Sequence, residues 1–161
     1  SAPEKLGADV PYFLTGGTCY VGGIGEEITP IADYSGKILV IAKGIEGVST
    51  AVAYGNIDSL ENPLHPRTNE LVKAINNGDE DAYRYFGNLF EEAVCLSEVE
   101  DIKSQMTKCG SLSAVMTGSG SAVFGLFDDR SSAENCSRIL AEKGYFSAVC
   151  ETVEKAFTEI Q

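Results

Sequence analysis

The chain has 161 residues, 43% of them hydrophobic, which suits one domain with a real core and argues against disorder. Its net charge is −12, from 24 acidic and 12 basic residues, so it lacks the basic faces that nucleic acids and anionic membranes recruit. No apolar run approaches the ~20 residues of a membrane span, and no basic segment leads into an apolar one as in a secretory leader, so a cytoplasmic protein is expected.

The predicted elements begin after LGADVPYFLTGG (residues 6–17), where Asp9 stands ahead of Val-Pro. An aspartate there suits an N-cap with Pro11 in the first helical turn, and it equally suits a general base that takes a proton from a substrate hydroxyl. TCYVGGIGEEITPI (18–31) alternates around glycines as a strand or hairpin does. KILVIAK (37–43) is a β-branched run fit for a buried strand. In GVSTAVAYG, Ser49 is the expected N-cap and Gly55 the expected stop of a short helix. Ser49 and Thr50 could also bond a ligand there, and Tyr54 could stack on a planar base.

A loop follows, and its His65, the single histidine, is expected to be solvated. NELVKAINNG reads as a helix ended by glycine. DAYRYFGNLFEEAV (81–94) places Tyr83, Phe86, Phe90, Ala93 and Val94 at helical spacing and predicts a second helix. Ser97 with Glu100 forms a capping box for a third, on which Val99, Ile102 and Met106 share a face. LSAVM and SAVFGLF then flank TGSGS as paired strands. Ser131 with Glu134 opens a last helix whose inward face carries Ala133, Cys136, Ile139 and Leu140, and GYFSAVCETV returns as a strand. The order predicts an α+β domain with a mainly antiparallel sheet covered on one side by helices.

The five cysteines, Cys19, Cys95, Cys109, Cys136 and Cys150, form no CxxC pair and are odd in number. Buried reduced thiols are expected, and no metal site. TGSGS (117–121) has two readings. It is a turn in which glycine supplies positive φ, or a phosphate-approachable nest of backbone N–H groups. It is neither a Walker A motif nor GxGxxG.

Taken together, LGADVPYFLTGGTCYVGGIGEEITPI, LVIAKGIEGVSTAVAY and AVMTGSGSAVFGLF resemble the C-terminal portion of the 4-diphosphocytidyl-2-C-methyl-D-erythritol kinase family, GHMP-superfamily kinases of the non-mevalonate isoprenoid pathway. The resemblance runs from Leu6 to about Val153, and the LGADVP run is its most specific part. It implies a ferredoxin-like C-terminal domain over residues 35–161, preceded at 1–34 by the end of an N-terminal kinase domain. It also implies that the chain is a fragment, because the substrate-side lysine and the phosphate-wrapping loop of the missing N-terminal domain are not found here.

By resemblance, Asp9 is the catalytic aspartate, and Thr50 and Tyr54 line the cytidine side of the substrate pocket. Gly118, Ser119 and Gly120 form the glycine-rich turn near the phosphates. Lys43 stands where a basic residue is common, without an assigned role. ATP and Mg²⁺ are the implied cofactors of the whole enzyme, with none expected on this fragment, which should be inactive alone. A homodimer, or a repositioned N-terminal segment, is expected from unpaired edges in residues 12–31. The alternatives are another GHMP small-molecule kinase, of homoserine or mevalonate type, and a stand-alone non-catalytic module that binds a metabolite or partner.

Overall fold

A computed structural model describes residues 10–154. The described residues open with a one-and-a-half-turn helix α1 (Val10–Thr15) and a hairpin of β1 (Cys19–Gly22) and β2 (Glu27–Pro30), which among those residues pair only with each other. The hairpin leaves Tyr20, Val21 and Ile24 in solvent. It is tied to the rest of the chain through Ile31 and Tyr34, whose N–H groups donate to the Thr18 carbonyl and hydroxyl.

The main sheet holds four strands: β3 (Ile38–Lys43), β4 (Ser113–Met116), β5 (Val123–Phe127) and β6 (Phe146–Glu151). Their spatial order is β4-β5-β3-β6 and every neighbouring pair is antiparallel. A helical crossover joins β3 to β4 and another joins β5 to β6, so this is the expected ferredoxin-like α+β arrangement. Among the described residues no helix is long and apolar enough to cross a membrane.

Two helices cover one face of this sheet. On α5 (Ser97–Lys108), Val99, Ile102 and Met106 are fully withdrawn from water, as their shared face predicts. On α6 (Arg130–Glu142), Ala133, Cys136 and Leu140 are buried, while Ile139 is only half-buried at the margin. They pack on Val40, Ala42, Met116, Val123 and Phe127. Each large aliphatic chain so buried contributes roughly 1.5–3 kcal/mol. Gly125 permits the close approach of α5, since a Cβ there would stand 2.8 Å from the Met106 sulfur. The opposite face is only partly covered, by Phe86 edge-on to Phe124 at 5.8 Å. That is why β3 is half-exposed at Ile41, although its apolar run suggests burial on both sides.

Several local expectations are corrected, most of them by a tertiary partner. Gly55 does not stop α2 (Thr50–Asp58). The helix runs through it because Asn56 Nδ2 donates to the Ala93 carbonyl, and it ends where the Ser59 hydroxyl donates to the Gly55 carbonyl. Ser49 stands at its N-cap position but makes no side-chain cap. The Ser97–Glu100 capping box is absent: Leu96 is the N-cap, and the carboxylate of Glu46, from a distant loop, accepts from Glu98 N and Ser97 Oγ instead. The Ser131–Glu134 box likewise gives way to Asp129, whose carboxylate accepts from Ser132 N at 2.8 Å.

A further correction bears on the site. After α3 (Thr68–Asn76), residues 81–94 do not form one helix. They form a 3₁₀ turn (Ala82–Tyr85), an extended break at Phe86–Asn88, and the single-turn helix α4 (Phe90–Ala93). His65 lies exposed in its loop. All five cysteines are free, but only Cys136 is buried; Cys95 is exposed in the loop after α4, against the expectation of buried thiols.

Candidate functional site

The turn between β4 and β5 is the centre of the site. Thr117 N donates to the Ala122 carbonyl at 2.8 Å and Gly120 N to the Thr117 carbonyl at 3.1 Å, which closes a tight reversal. Gly118 and Gly120 have φ of 56° and 90°, a region that side chains with a Cβ rarely adopt. Both readings of TGSGS survive at the backbone level: positive φ is needed, and the same reversal leaves open space beside Gly118, where a Cβ would meet nothing within 4 Å. Inside the turn the reverse holds, for a Cβ on Gly120 would stand 2.7 Å from the Met116 sulfur.

The N-terminus of α2 meets this turn. Thr50 Oγ1 and Ser119 Oγ lie 3.1 Å apart, so two residues 69 positions distant share a hydrogen bond. Buried Ser121 strengthens the junction by donating its hydroxyl to the carbonyl of Glu46, in the loop that leads into α2. Glu46 N in turn donates to Glu98 Oε2 at 2.7 Å, which anchors the same loop to the start of α5.

Tyr54 stands one turn beyond Thr50 on α2. The residue is 56% exposed, and its ring lies perpendicular to that of Phe90, with centroids 5.0 Å apart and planes at 86°. The contact steadies the ring while the rest of the residue stays open to solvent. Lys43 ends β3 in an exposed position opposite Phe146. Thus Thr50, Tyr54, Gly118, Ser119 and Gly120 converge on one end of the sheet. Asp9 lies outside the described residues.

Sequence reasoning missed the residues behind the turn. Asn88 Nδ2 donates to the carbonyls of Met116 (2.7 Å) and Gly118 (2.8 Å), while Glu91 accepts from Met116 N at 2.7 Å and pairs with Lys103 at 2.9 Å. The available signal was Gly87-Asn88, an awkward pair inside an otherwise helical pattern. Among the described residues no group of three or more histidine, cysteine or carboxylate side chains could hold a metal ion.

The chain is similar to known proteins along most of its length. The family model described as GHMP kinases C terminal matches residues 64–145. The 4-diphosphocytidyl-2-C-methyl-D-erythritol kinase of Clostridium botulinum (strain Eklund 17B / Type B) is 40% identical over 142 residues, which are 86% of this chain and 51% of that protein. The enzyme so named in Clostridium perfringens (strain SM101 / Type A) is 39% identical over 148 residues, 90% of this chain and 51% of its own. A crystal structure of a 4-(cytidine 5'-diphospho)-2C-methyl-D-erythritol kinase superposes with a TM-score of 0.75 at 25% identity, covering 92% of this chain and 54% of that one. A homoserine kinase from Cytophaga hutchinsonii shares the fold, with a TM-score of 0.69 at 18% identity over 91% of this chain and 51% of its own. The chain spans about half the length of the curated relatives it matches. It belongs to the GHMP kinase C-terminal family.

Proposed function

We propose that this chain is the substrate-side half of an ATP-dependent kinase that phosphorylates a hydroxyl of 4-diphosphocytidyl-2-C-methyl-D-erythritol in isoprenoid biosynthesis. The observation that carries it is the 3.1 Å contact between Thr50 and Ser119, which joins the expected substrate wall to the expected phosphate-side turn. The names of relatives near 40% identity support the acceptor. In this reading residues 1–34 close the N-terminal kinase domain and residues 35–161 form the C-terminal one.

Phosphoryl transfer asks a protein mainly for alignment and compensation of charge. Asp9 would orient the acceptor hydroxyl and take its proton as the oxygen bonds to phosphorus. Tyr54 would offer its ring to the cytosine, and Thr50 its hydroxyl to the same end of the substrate. The open side of Gly118, the Ser119 hydroxyl and the backbone N–H groups not spent in closing the turn would suit a phosphoryl oxygen. ATP supplies the transferred group. Mg²⁺, which takes one or two carboxylates together with the phosphates of its nucleotide, would offset the charge of the triphosphate in the completed site. With the chain this acidic, the cations that hold a triphosphate belong to the other half, and the 161 residues alone should turn over nothing.

The test is a coupled ADP-release assay on a protein of the relatives' full length and on this chain alone. Turnover by the former that Asp9→Asn lowers by about a thousandfold, with silence from the latter, is expected. Steady ADP release from the isolated chain would overturn the division of labour. Saturable binding of cytidine nucleotide with no turnover in either protein would point to a non-catalytic module.

A further inference from the structure

The break in the predicted helix at Asn88 has a chemical counterpart. Met116 is the last residue of β4, and both of its backbone polar groups are taken by side chains of the 88–91 segment and not by the sheet alone. The Asn88 amide donates to two carbonyls, those of Met116 and Gly118, while its own Oδ1 accepts from Phe90 N at 3.0 Å and so starts α4. Glu91, one turn further on, takes Met116 N, and Lys103 from α5 fixes Glu91. The ring of Phe90, between them, supports Tyr54.

We infer that Asn88 and Glu91 are positioning residues of the phosphoryl-transfer site, a clamp that draws the carbonyls of Met116 and Gly118 away from the reacting groups and leaves the Ser119 N–H, opposite the Gly118 carbonyl in one planar peptide, and the Ser119 hydroxyl free of that side. The inference rests on the reading of that turn as the phosphate side. Its logic is electrostatic. A glycine turn is free to rotate its peptide planes, and a carbonyl swung toward an anionic phosphoryl group repels it, whereas an N–H attracts it. One amide donor shared between two carbonyls selects the second orientation. The Glu91–Lys103 pair then couples the clamp to the rigid helix layer, so the turn is held from both strand and helix. The same segment therefore supports the ring at the cytidine end and orients the turn at the phosphate end. Asn88 and Glu91 touch neither substrate nor reacting atoms in this scheme and act through the turn.

The experiment has two readouts. In the chain as it stands, amide hydrogen exchange at Thr117 and Gly120 reports the turn. In a protein of the relatives' full length, kcat and acceptor KM report its consequence. Asn88→Asp keeps an acceptor for Phe90 N but aims a carboxylate at two carbonyls. It should speed exchange at Thr117 and Gly120 by about tenfold or more and lower kcat by at least about tenfold, with KM changed by less than about threefold. Glu91→Ala should speed exchange likewise, and Glu91→Gln, which keeps an accepting oxygen, should restore protection. Unchanged exchange in folded Asn88→Asp overturns the clamp, as does equal protection in the two Glu91 variants, which decide the matter if the Asn88 variant does not fold. A wild-type kcat in a variant whose turn is loosened overturns the positioning role. A wild-type enzyme that acts on a different alcohol, with these effects intact, removes the acceptor assignment and leaves the clamp standing.

Discussion

The two glycines of the turn should respond very differently to the same added methyl group. Gly118→Ala at φ 56° meets open space, so its cost is the left-handed backbone alone, about 1–2 kcal/mol. Gly120→Ala at φ 90° carries a similar backbone cost and drives its Cβ to 2.7 Å from the Met116 sulfur. Met116 is only 1% exposed, so its side chain cannot yield toward solvent, and overpacking adds about 1–3 kcal/mol. For a chain of this size the difference between the two variants is about 2–12 °C in Tm. A double-mutant cycle isolates the contact. Met116→Ala costs roughly 2–5 kcal/mol by itself, and in its background Gly120→Ala should cost no more than Gly118→Ala does, a coupling of about 1–3 kcal/mol. Urea unfolding of the wild type, the three single variants and the double variant, with m-values checked for constancy, measures all terms. Equal destabilisation by the two glycine variants, or additivity within about 0.5 kcal/mol, would refute the packing argument.

Other outcomes follow from the same contacts. Leu140→Ala, at a site with no exposure, should destabilise by roughly 2–5 kcal/mol in the same urea assay, whereas Ile139→Ala at the rim of α6 should cost clearly less. The Tyr145 hydroxyl donates to Asp101 at 2.7 Å, and that bond pushes the tyrosine up to about 12. A raised value means that the stabilisation is complete below the unfolded value near 10 and is lost as pH rises from there through about 12, so Tyr145→Phe should flatten the alkaline limb of the stability profile over that interval. Asp101 is held below the usual carboxylate range by hydrogen bonds from Lys143 and Tyr145. Its contribution is therefore present above the unfolded value and lost as acid carries pH down through the folded one, and Asp101→Asn should soften the acid limb. At the site, Tyr54→Ala in a protein of the relatives' full length should raise acceptor KM by about tenfold or more while Tyr54→Phe, which keeps the stacking face, should not; equal effects would dismiss the stacking role.

How far the sequence predicts these features depends on where each side chain finds its partner. The faces of α5 and α6 were legible because Val99, Ile102, Met106, Ala133, Cys136 and Leu140 recur at helical spacing and each meets the same sheet. The strands flanking TGSGS were legible for the same reason. The helix caps were not: Ser97 and Ser131 satisfy a local pattern, but Glu46 and Asp129 reach the helix ends in their place, and Glu46 comes from 52 positions away. The segment 81–94 has helical periodicity, yet Asn88 leaves the helix to bond carbonyls 28 and 30 positions distant, a preference no local window contains. Thr50, Tyr54 and the glycine turn were singled out by residue type and by resemblance, whereas the residues that hold them, Asn88, Glu91 and Ser121, became visible only with the tertiary bonds.

The most direct measurement is the ratio of kcat/KM for three alcohols with ATP in a protein of the relatives' full length: the cytidine-diphosphate-linked methylerythritol, homoserine and mevalonate. The account predicts that the cytidine-linked polyol exceeds the other two by at least about a hundredfold, because only it can engage both Tyr54 and the turn. A preference for homoserine or mevalonate, or the same rate with all three, would contradict it.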